Sequence, residues 1–247
     1  INGNGINDLA VGAYADNSDG ATNTGAVHIL FMNADGTVHN AVEINKSTVP
    51  SLGLSNKDFF GISVANMGDL DGNGINDLAV GAHGDDYSDG AINTGAVHIL
   101  LINADGTVNA TAEIDSSSHT VLNALANYDG FGFSVANMGD LDGDGINDLA
   151  VGAHQHDSVE VDTGAVYILY MGEYGTVKHT VQITGESSNV PTLGERDKFG
   201  ISVANIGDVN GGGLNDLAVG AYGADVNTGA VHIIYLDNSA PLVDVNT

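Results

Sequence analysis

With 247 residues, 43% of them apolar, the chain can build a sizeable core, yet it carries 32 acidic residues against five basic ones. A formal charge of −27 excludes nucleic acid, whose phosphates need clustered Lys and Arg, and disfavours anionic membrane surfaces. Cysteine is absent, which removes disulfides, thiol nucleophiles and thiolate metal sites, and no run approaches the roughly 20 apolar residues of a membrane span. A charge of this size repels itself at low salt, so bound cations or a saline milieu are expected.

Read from its first residue, the chain repeats. One string recurs at Ile1–Ala13, Asp69–Ala82, Asp140–Ala153 and Asp208–Ala221, ending on Asp-Leu-Ala-Val-Gly-Ala. Its final Asp stands at Asp8, Asp77, Asp148 and Asp216, giving spacings of 69, 71 and 68. A Phe-Gly segment precedes three of the copies, at Phe60–Asn66, Phe131–Asn137 and Phe199–Asn205. A Thr-Gly-Ala-Val segment follows all four, at Thr24–Leu30, Thr94–Leu100, Thr163–Leu169 and Thr228–Ile234. Each unit reads as four short strands. The first is the Phe-Gly segment, absent from unit one. The second is Asp-Leu-Ala-Val-Gly-Ala, and the third starts at Gly-Ala-Val. The fourth covers about 41–45, 111–115 and 179–184. Asn33-Ala34-Asp35-Gly36 and Asn103-Ala104-Asp105-Gly106 are hairpin-turn sequences between the third and fourth strands. The units span about 1–58, 59–129, 130–197 and 198–237, and 238–247 reads as a linker or a closing strand.

The strand faces select the architecture. Phe60, Ile62 and Val64 are expected to oppose Gly61, Ser63 and Ala65, and Leu78, Val80 and Ala82 to oppose Asp77, Ala79 and Gly81. One face is large and one small, and neither is polar. A sandwich wants one wet face per sheet. Four-stranded sheets covered on both faces instead stack radially, large face on small, as blades of a β-propeller. The fold class is therefore all-β, a propeller of four antiparallel blades, the first lacking its inner strand.

The loop before the second strand carries the chemistry. In the best copy Asp140, Asp142, Asp144, the Ile146 carbonyl and Asp148 occupy positions 1, 3, 5, 7 and 9, with Gly145 at position 6. The first nine positions of the EF-hand loop share this grammar, and a flexible set of hard oxygen ligands favours Ca²⁺. Unit two offers Asp69, Asp71, Asn73, the Ile75 carbonyl and Asp77. Unit four offers Asp208, Asn210, Gly212, the Leu214 carbonyl and Asp216, and unit one only Asn2, Asn4, the Ile6 carbonyl and Asp8. Counting carboxylates orders the expected affinities as three, two, four, one. Calcium here is expected to be structural, because bare carboxylates within one loop repel and metal bound only by the folded state stabilises it.

The combination Phe-Gly-x-Ser-Val-Ala, Gly-Asp-Leu-Asp-Gly-Asp-Gly-x-x-Asp-Leu-Ala-Val-Gly-Ala and Gly-Ala-Val-x-Ile-Leu resembles the FG-GAP repeat of integrin α subunits and of many bacterial and archaeal surface proteins. The resemblance covers the chain to about residue 236. It implies a Ca²⁺-binding propeller, with the ligands at the positions just named, located outside the cell or at its surface. Four blades are fewer than integrin-like rings hold, so the chain reads as part of a larger ring. The family's Pro after Gly-Ala is replaced by Tyr14, His83, His154 and Tyr222.

Other clusters have plainer readings. His154-Gln155-His156 beside Asp157 offers either a zinc site or a solvated loop, and the exchange with Tyr at the equivalent position favours the loop. His28, His98 and His232 share a third-strand position with Tyr167, which points to packing with one hydrogen bond. Asp85, Asp86 and Asp89, with Asp16 and Asp19 in the equivalent loop, form either a second cation site or a wet acidic turn. No nucleophile, base and acid set and no phosphate-cradling loop stands out, so no enzyme is expected. The leading reading is a structural or adhesion module with a protein ligand. Its rivals are a lectin-like propeller using Tyr14, Tyr87, Tyr128, Tyr174 and Tyr222, and a self-assembling homo-oligomer that pairs the open edge of unit one.

Overall fold

Four antiparallel sheets follow one another along the chain, as the repeats predict. The first holds β1 (Leu9–Ala13), β2 (Ala26–Met32) and β3 (Val38–Ile44), and the second holds β4 (Ser63–Gly68), β5 (Asp77–Ala82), β6 (Ala96–Ile102) and β7 (Val108–Ile114). The third holds β8 (Phe131–Gly139), β9 (Asp148–Ala153), β10 (Ala165–Met171) and β11 (Val177–Ile183), and the fourth holds β12 (Phe199–Asn205), β13 (Leu217–Ala221) and β14 (Ala230–Ile234). Strands are laid down in sequence order across each sheet. This computed structural model describes residues 1–17, 20–86, 92–158, 160–187, 190, 192–224 and 228–237. Asp19, Tyr87, Asp89 and the 238–247 segment lie outside them. No helix among the described residues is long and apolar enough to cross a membrane.

Local chemistry fixes each hairpin. Asn33 N–H donates to the Thr37 carbonyl (2.8 Å) and Gly36 N–H to the Asn33 carbonyl (3.0 Å), with Gly36 at φ 83°, and residues 103–107 repeat the same turn. The fourth strands start about three residues earlier than their hydrophobic pattern suggests, because these tight turns commit the chain to pairing at once.

The sheets stack as blades. Val27, Ile29 and Phe31 of blade one bury against Phe60, Leu78, Val80 and Leu100 of blade two. Ala79, Val97, Ile99 and Leu101 of blade two bury against Phe131, Leu149, Val151 and Tyr167 of blade three. Ala150, Val166 and Ile168 of blade three bury against Phe199, Leu217, Val219 and Ile234 of blade four. β5, β6 and β9 are buried throughout, which explains why neither face of these strands is polar in sequence.

The Phe-Gly segment does not alternate as expected. Phe131 pairs with Ala153, but the next pair is Ser134 with Gly152, so a bulge intervenes. Gly132 sits at φ 86°, a conformation natural to glycine. The bulge resets the alternation, and Phe131 turns into the interface while Gly132 presents its backbone to the preceding blade. A Cβ on Gly81 would lie 1.8 Å from the Gly132 carbonyl oxygen, and one on Gly152 would lie 2.0 Å from that of Gly200. Ser63 and Ser134 hydroxyls donate to those two carbonyls at 2.9 and 2.8 Å. Blades therefore meet backbone to backbone at paired glycines. Asparagine amides add a second tie: Asn147 reaches the Met67 carbonyl (3.1 Å) and Asn215 the Met138 carbonyl (2.8 Å).

Candidate metal centres in the inter-strand loops

In blades two to four the acidic loop leaves the inner strand, turns twice through left-handed glycines, and enters the second strand. Gly72 and Gly74 stand at φ 77° and 85°, and Gly143 and Gly145 at 81° and 93°. These two turns coil the backbone around the first carboxylate. In blade three Asp140 Oδ1 accepts from Gly143 N–H (2.7 Å) and Oδ2 from Gly145 N–H (2.8 Å). Asp69 is held by Gly72 and Gly74 at 2.8 Å each, and Asp208 by Gly211 (2.7 Å) and Gly213 (2.9 Å).

The ninth position is a structural clasp. Asp77 is fully buried, accepting from Leu70 N–H (2.7 Å) and from Ile102 N–H (2.8 Å) at the end of the third strand. Asp148 does the same with Leu141 and Met171 (2.7 and 2.8 Å), Asp216 with Val209 and Leu236 (2.9 Å each), and Asp8 takes Met32 N–H (2.9 Å). Burial pushes Asp77 up and Asp148 up to about 6, against the backbone donors that favour their charge.

The structure brings three carboxylates of one loop within 4.8 Å of one another twice among the described residues, as Asp69, Asp71 and Asp77 and as Asp140, Asp142 and Asp144. All the donors are oxygens, so both sets fit a hard cation. The loops differ at the fifth position. Asn73 turns its amide to the Ile102 carbonyl (3.0 Å) and accepts Ile75 N–H on Oδ1 (2.7 Å). Asp144 accepts Ile146 N–H (2.9 Å) and keeps its other oxygen free for a cation. That cation is Lys178, on β11, whose ammonium donates to Asp142 (2.6 Å) and Asp144 (2.5 Å). Burial works against the Lys178 charge, but the two carboxylates outweigh it and raise Lys178 above its usual range. The hydrogen bond from Lys178, with Ile146 N–H, holds Asp144 below the usual carboxylate range. Lys178 was not among the expected site residues. Its signal was its place two residues after the turn that abuts the loop, visible only once the third and fourth strands are paired.

Blades one and four gather less. Asn210 accepts Gly212 N–H (2.6 Å), and Gly212 offers no side chain. Asn2 and Asn4 cap Asn4 and Ile6 N–H (3.1 and 2.8 Å), with Asp8 the one carboxylate of that loop.

The opposite end of the sheets holds the histidines. His154 and His156 are each only 8% exposed, so this segment is packed, not solvated. His156 Nδ1 meets Asp129 (2.6 Å) and its Nε2 meets Gln182 (2.9 Å), while His154 packs on Phe133 with ring centroids 4.2 Å apart. Both nitrogens of His156 are engaged, which leaves no zinc pair. His98 bonds Asp85 (3.3 Å) and packs on Phe60, and Tyr167 bonds Gln182 (2.9 Å) and packs on Phe131. This is the packing role their interchange suggested. Of the exposed tyrosines, Tyr14 and Tyr222 follow β1 and β13, and Tyr128, beside Asp129, lies at that same end, whereas Tyr174 lies at the loop end with its N–H on the Leu70 carbonyl (3.1 Å). Tyr174 therefore stands apart from the other three.

Comparison with known proteins agrees with the loop geometry. The sequence profile of the FG-GAP repeat matches residues 1–30, 60–100 and 131–169. The chain is 36% identical to integrin alpha-5 of Xenopus laevis over 174 residues, covering 68% of this chain and 15% of that protein. It is 31% identical to integrin alpha-PS2 of Drosophila melanogaster over 192 residues, covering 76% and 13%. A phosphatidylinositol-glycan-specific phospholipase D of Bos taurus is 32% identical over 181 residues, covering 69% and 20%. The chain thus spans a fifth or less of the length of these relatives. With the Phe-Gly bulge, the acidic loop and the blade stacking all recurring in register, the chain belongs to the FG-GAP repeat family of integrin α-like β-propellers.

Proposed function

We propose that this chain is a calcium-stabilised, non-catalytic adhesion module working outside the cell or at its surface. The observation that carries the metal part is the blade-two loop, where Asp69, Asp71 and Asp77 converge within 4.8 Å and, among the described residues, no lysine or arginine pairs with them as Lys178 pairs with Asp142 and Asp144. Such a set is costly unless a cation offsets it. Asp69, Asp71, Asn73 and the Ile75 carbonyl would hold calcium there, with Asp77 tying it to the strand end. In blade three Asp140, Asp142, Asp144, the Ile146 carbonyl and Asp148 would do so once Lys178 swings away. That displacement places blade two first, followed by three, four and one. The adhesive role rests on the likeness to integrin α chains. The likeness to a phospholipase D covers 69% of this chain, and the non-catalytic reading rests on the sequence, in which no nucleophile, base and acid set stands out.

The test is thermal unfolding in excess Ca²⁺ and in excess chelator, for the wild type and for Asp71→Asn with Asp142→Asn. At about 100-fold saturation each site adds roughly 2.7 kcal/mol. The wild-type midpoint should rise clearly with calcium and the double variant should lose most of that rise. A midpoint indifferent to calcium would refute the reading.

A further inference from the structure

The eighth position of the acidic loop lies outside the ligand set, yet it is asparagine in all four copies: Asn7, Asn76, Asn147 and Asn215. In blade three it stands between Ile146 and Asp148, and its amide crosses to blade two. The acceptor is the Met67 carbonyl at 3.1 Å, just ahead of Asp69, the first carboxylate of the blade-two loop. Contact is close enough that a Cβ on Gly68 would stand 2.9 Å from the Asn147 amide nitrogen. A second tie runs alongside. Tyr174 N–H donates to the carbonyl of Leu70, the residue after Asp69, at 3.1 Å. Tyr174 closely follows Met171, whose N–H donates to Asp148 (2.8 Å), and Leu70 N–H donates to Asp77 (2.7 Å). The two ties thus leave from beside the blade-three carboxylates and arrive on either side of Asp69. Asn215 repeats the amide tie from blade four to the Met138 carbonyl (2.8 Å), just ahead of Asp140, and a Cβ on Gly139 would again stand 2.9 Å from its nitrogen.

Such ties transmit order. Without a cation the carboxylates of one loop repel. An ion that draws them together also fixes the backbone from which they project. In blade two that backbone carries the Met67 and Leu70 carbonyls, the acceptors that blade three uses. Loading blade two therefore gives blade three acceptors already in place, and the ordering cost is not met twice. In repeat architectures coupling of this kind runs between nearest neighbours, and linkage makes it equal in both directions.

We propose that Asn147 is a positioning residue that couples the calcium loops of blades two and three, so that an ion in one tightens binding in the other. This rests on the calcium reading above and adds that the sites do not fill independently. Asn147 acts through Met67, and Asn215 places the same link between blades three and four.

The test is calorimetric titration of the whole chain with Ca²⁺ alone, arranged as a double-mutant cycle. Asp142→Asn disables blade three and keeps every blade-two ligand. It should weaken calcium at blade two about fivefold, the low end of the range for coupled sites, and Asp71→Asn should weaken blade three by the same factor. Asn147→Ala removes the amide and keeps every ligand of both loops. In that background Asp142→Asn should change blade two by about twofold or less, the Tyr174 tie carrying what remains. An asparagine that only packs would instead weaken the sites by factors that multiply, whatever the neighbour holds. If a variant is too unstable to titrate, amide exchange decides. Gly72 and Gly74 N–H groups bond Asp69 at 2.8 Å each, and at partial calcium loading Asp142→Asn should speed their exchange only while Asn147 is present. A wild type that takes up no calcium would overturn the calcium reading and the coupling together. Calcium steps that ignore Asp142→Asn and Asp71→Asn would leave that reading standing and overturn the coupling, as would coupling undiminished by Asn147→Ala.

Discussion

Blades three and four spell the same words and live in different surroundings. Both carry Phe-Gly, a loop opening on Asp, and Leu-Ala-Val-Gly-Ala in the second strand. In blade three, Gly152 lies against the Gly200 backbone, and His154, packed on Phe133, is 8% exposed. In blade four, Gly220 meets only side chains of its own blade among the described residues, and Tyr222, at the position of His154, is 58% exposed. Val231 and Tyr235 on that outer face are 69% and 60% exposed, while their blade-three counterparts Val166 and Tyr170 are buried and partly buried. The motif thus encodes half of each interface, and its energetic meaning depends on whether a neighbour supplies the other half.

The sharpest way to break the comparison is at the paired glycines. Gly152→Ala puts a Cβ about where the Gly200 carbonyl oxygen stands, 2.0 Å away, and neither backbone can rotate aside. The blades must part, losing the Ser134 bond to Gly200 (2.8 Å) with the apolar contact around it. We expect a loss of about 3 kcal/mol or more, at the top of the range for overpacked sites. Gly220→Ala meets the Ser202 hydroxyl at 2.4 Å, a single rotor that can turn away, and should cost about 1 kcal/mol or less. Chemical denaturation of the two variants measures this, and equal losses would mean that the interface is not set by backbone approach.

Acid sharpens it further. Burial lowers His83 and His154 to about 4 from 6.5, with Lys198 and His83 adding to the effect on His154 and Asp162 opposing. The fold therefore accepts the neutral rings, which pack against Phe59 and Phe133 at 4.9 and 4.2 Å. Stability is complete above the unfolded value of 6.5 and is lost as pH falls toward 4. Linkage makes this on the order of 3 kcal/mol per ring. Asp148, raised to about 6, works the other way, since its protonation below that pH relieves a buried charge. Comparing the wild type with His83→Phe/His154→Phe isolates the histidines. Between pH 6.5 and 4 the variant should lose much less stability. Changing the exposed Tyr222 to His should add little to the acid limb. A double variant as acid-labile as the wild type would place the sensitivity elsewhere.

What sequence could reveal followed the range of each interaction. The strands and the loops were legible because hydrophobic spacing and Asp-x-Asp-Gly are local and recur. The Phe-Gly face was misread because one left-handed glycine, Gly132, resets the alternation that the apolar residues imply. Asn147 occupies none of the ligand positions of its loop, yet it ties to Met67, 80 residues earlier. Residues acting across blades are spelled like surface polar residues, and pairing alone distinguishes them.

The smallest expected effect bears on the loops. Counting carboxylates ranks blade three above blade two, and on the proposed calcium reading Lys178 would reverse that rank by pairing with Asp142 and Asp144. Its ammonium lies 36 and 34 residues from Asp142 and Asp144 in sequence, and is 37% exposed. An ion pair this open to solvent contributes modestly, about 1 kcal/mol when two carboxylates share it. Blade two carries Asn109 at the matching place, one residue after Val108 as Lys178 follows Val177. Lys178→Ala should therefore tighten calcium at blade three about fivefold, a factor worth about 1 kcal/mol, and restore the order set by carboxylate number. Asn109→Lys should weaken blade two by a similar factor. In calorimetric titrations the two changes should move separate binding steps in opposite directions, with a shallower salt dependence once the lysine is gone. If Lys178→Ala leaves blade three unchanged, the ammonium is a bystander and the ranking by charge stands.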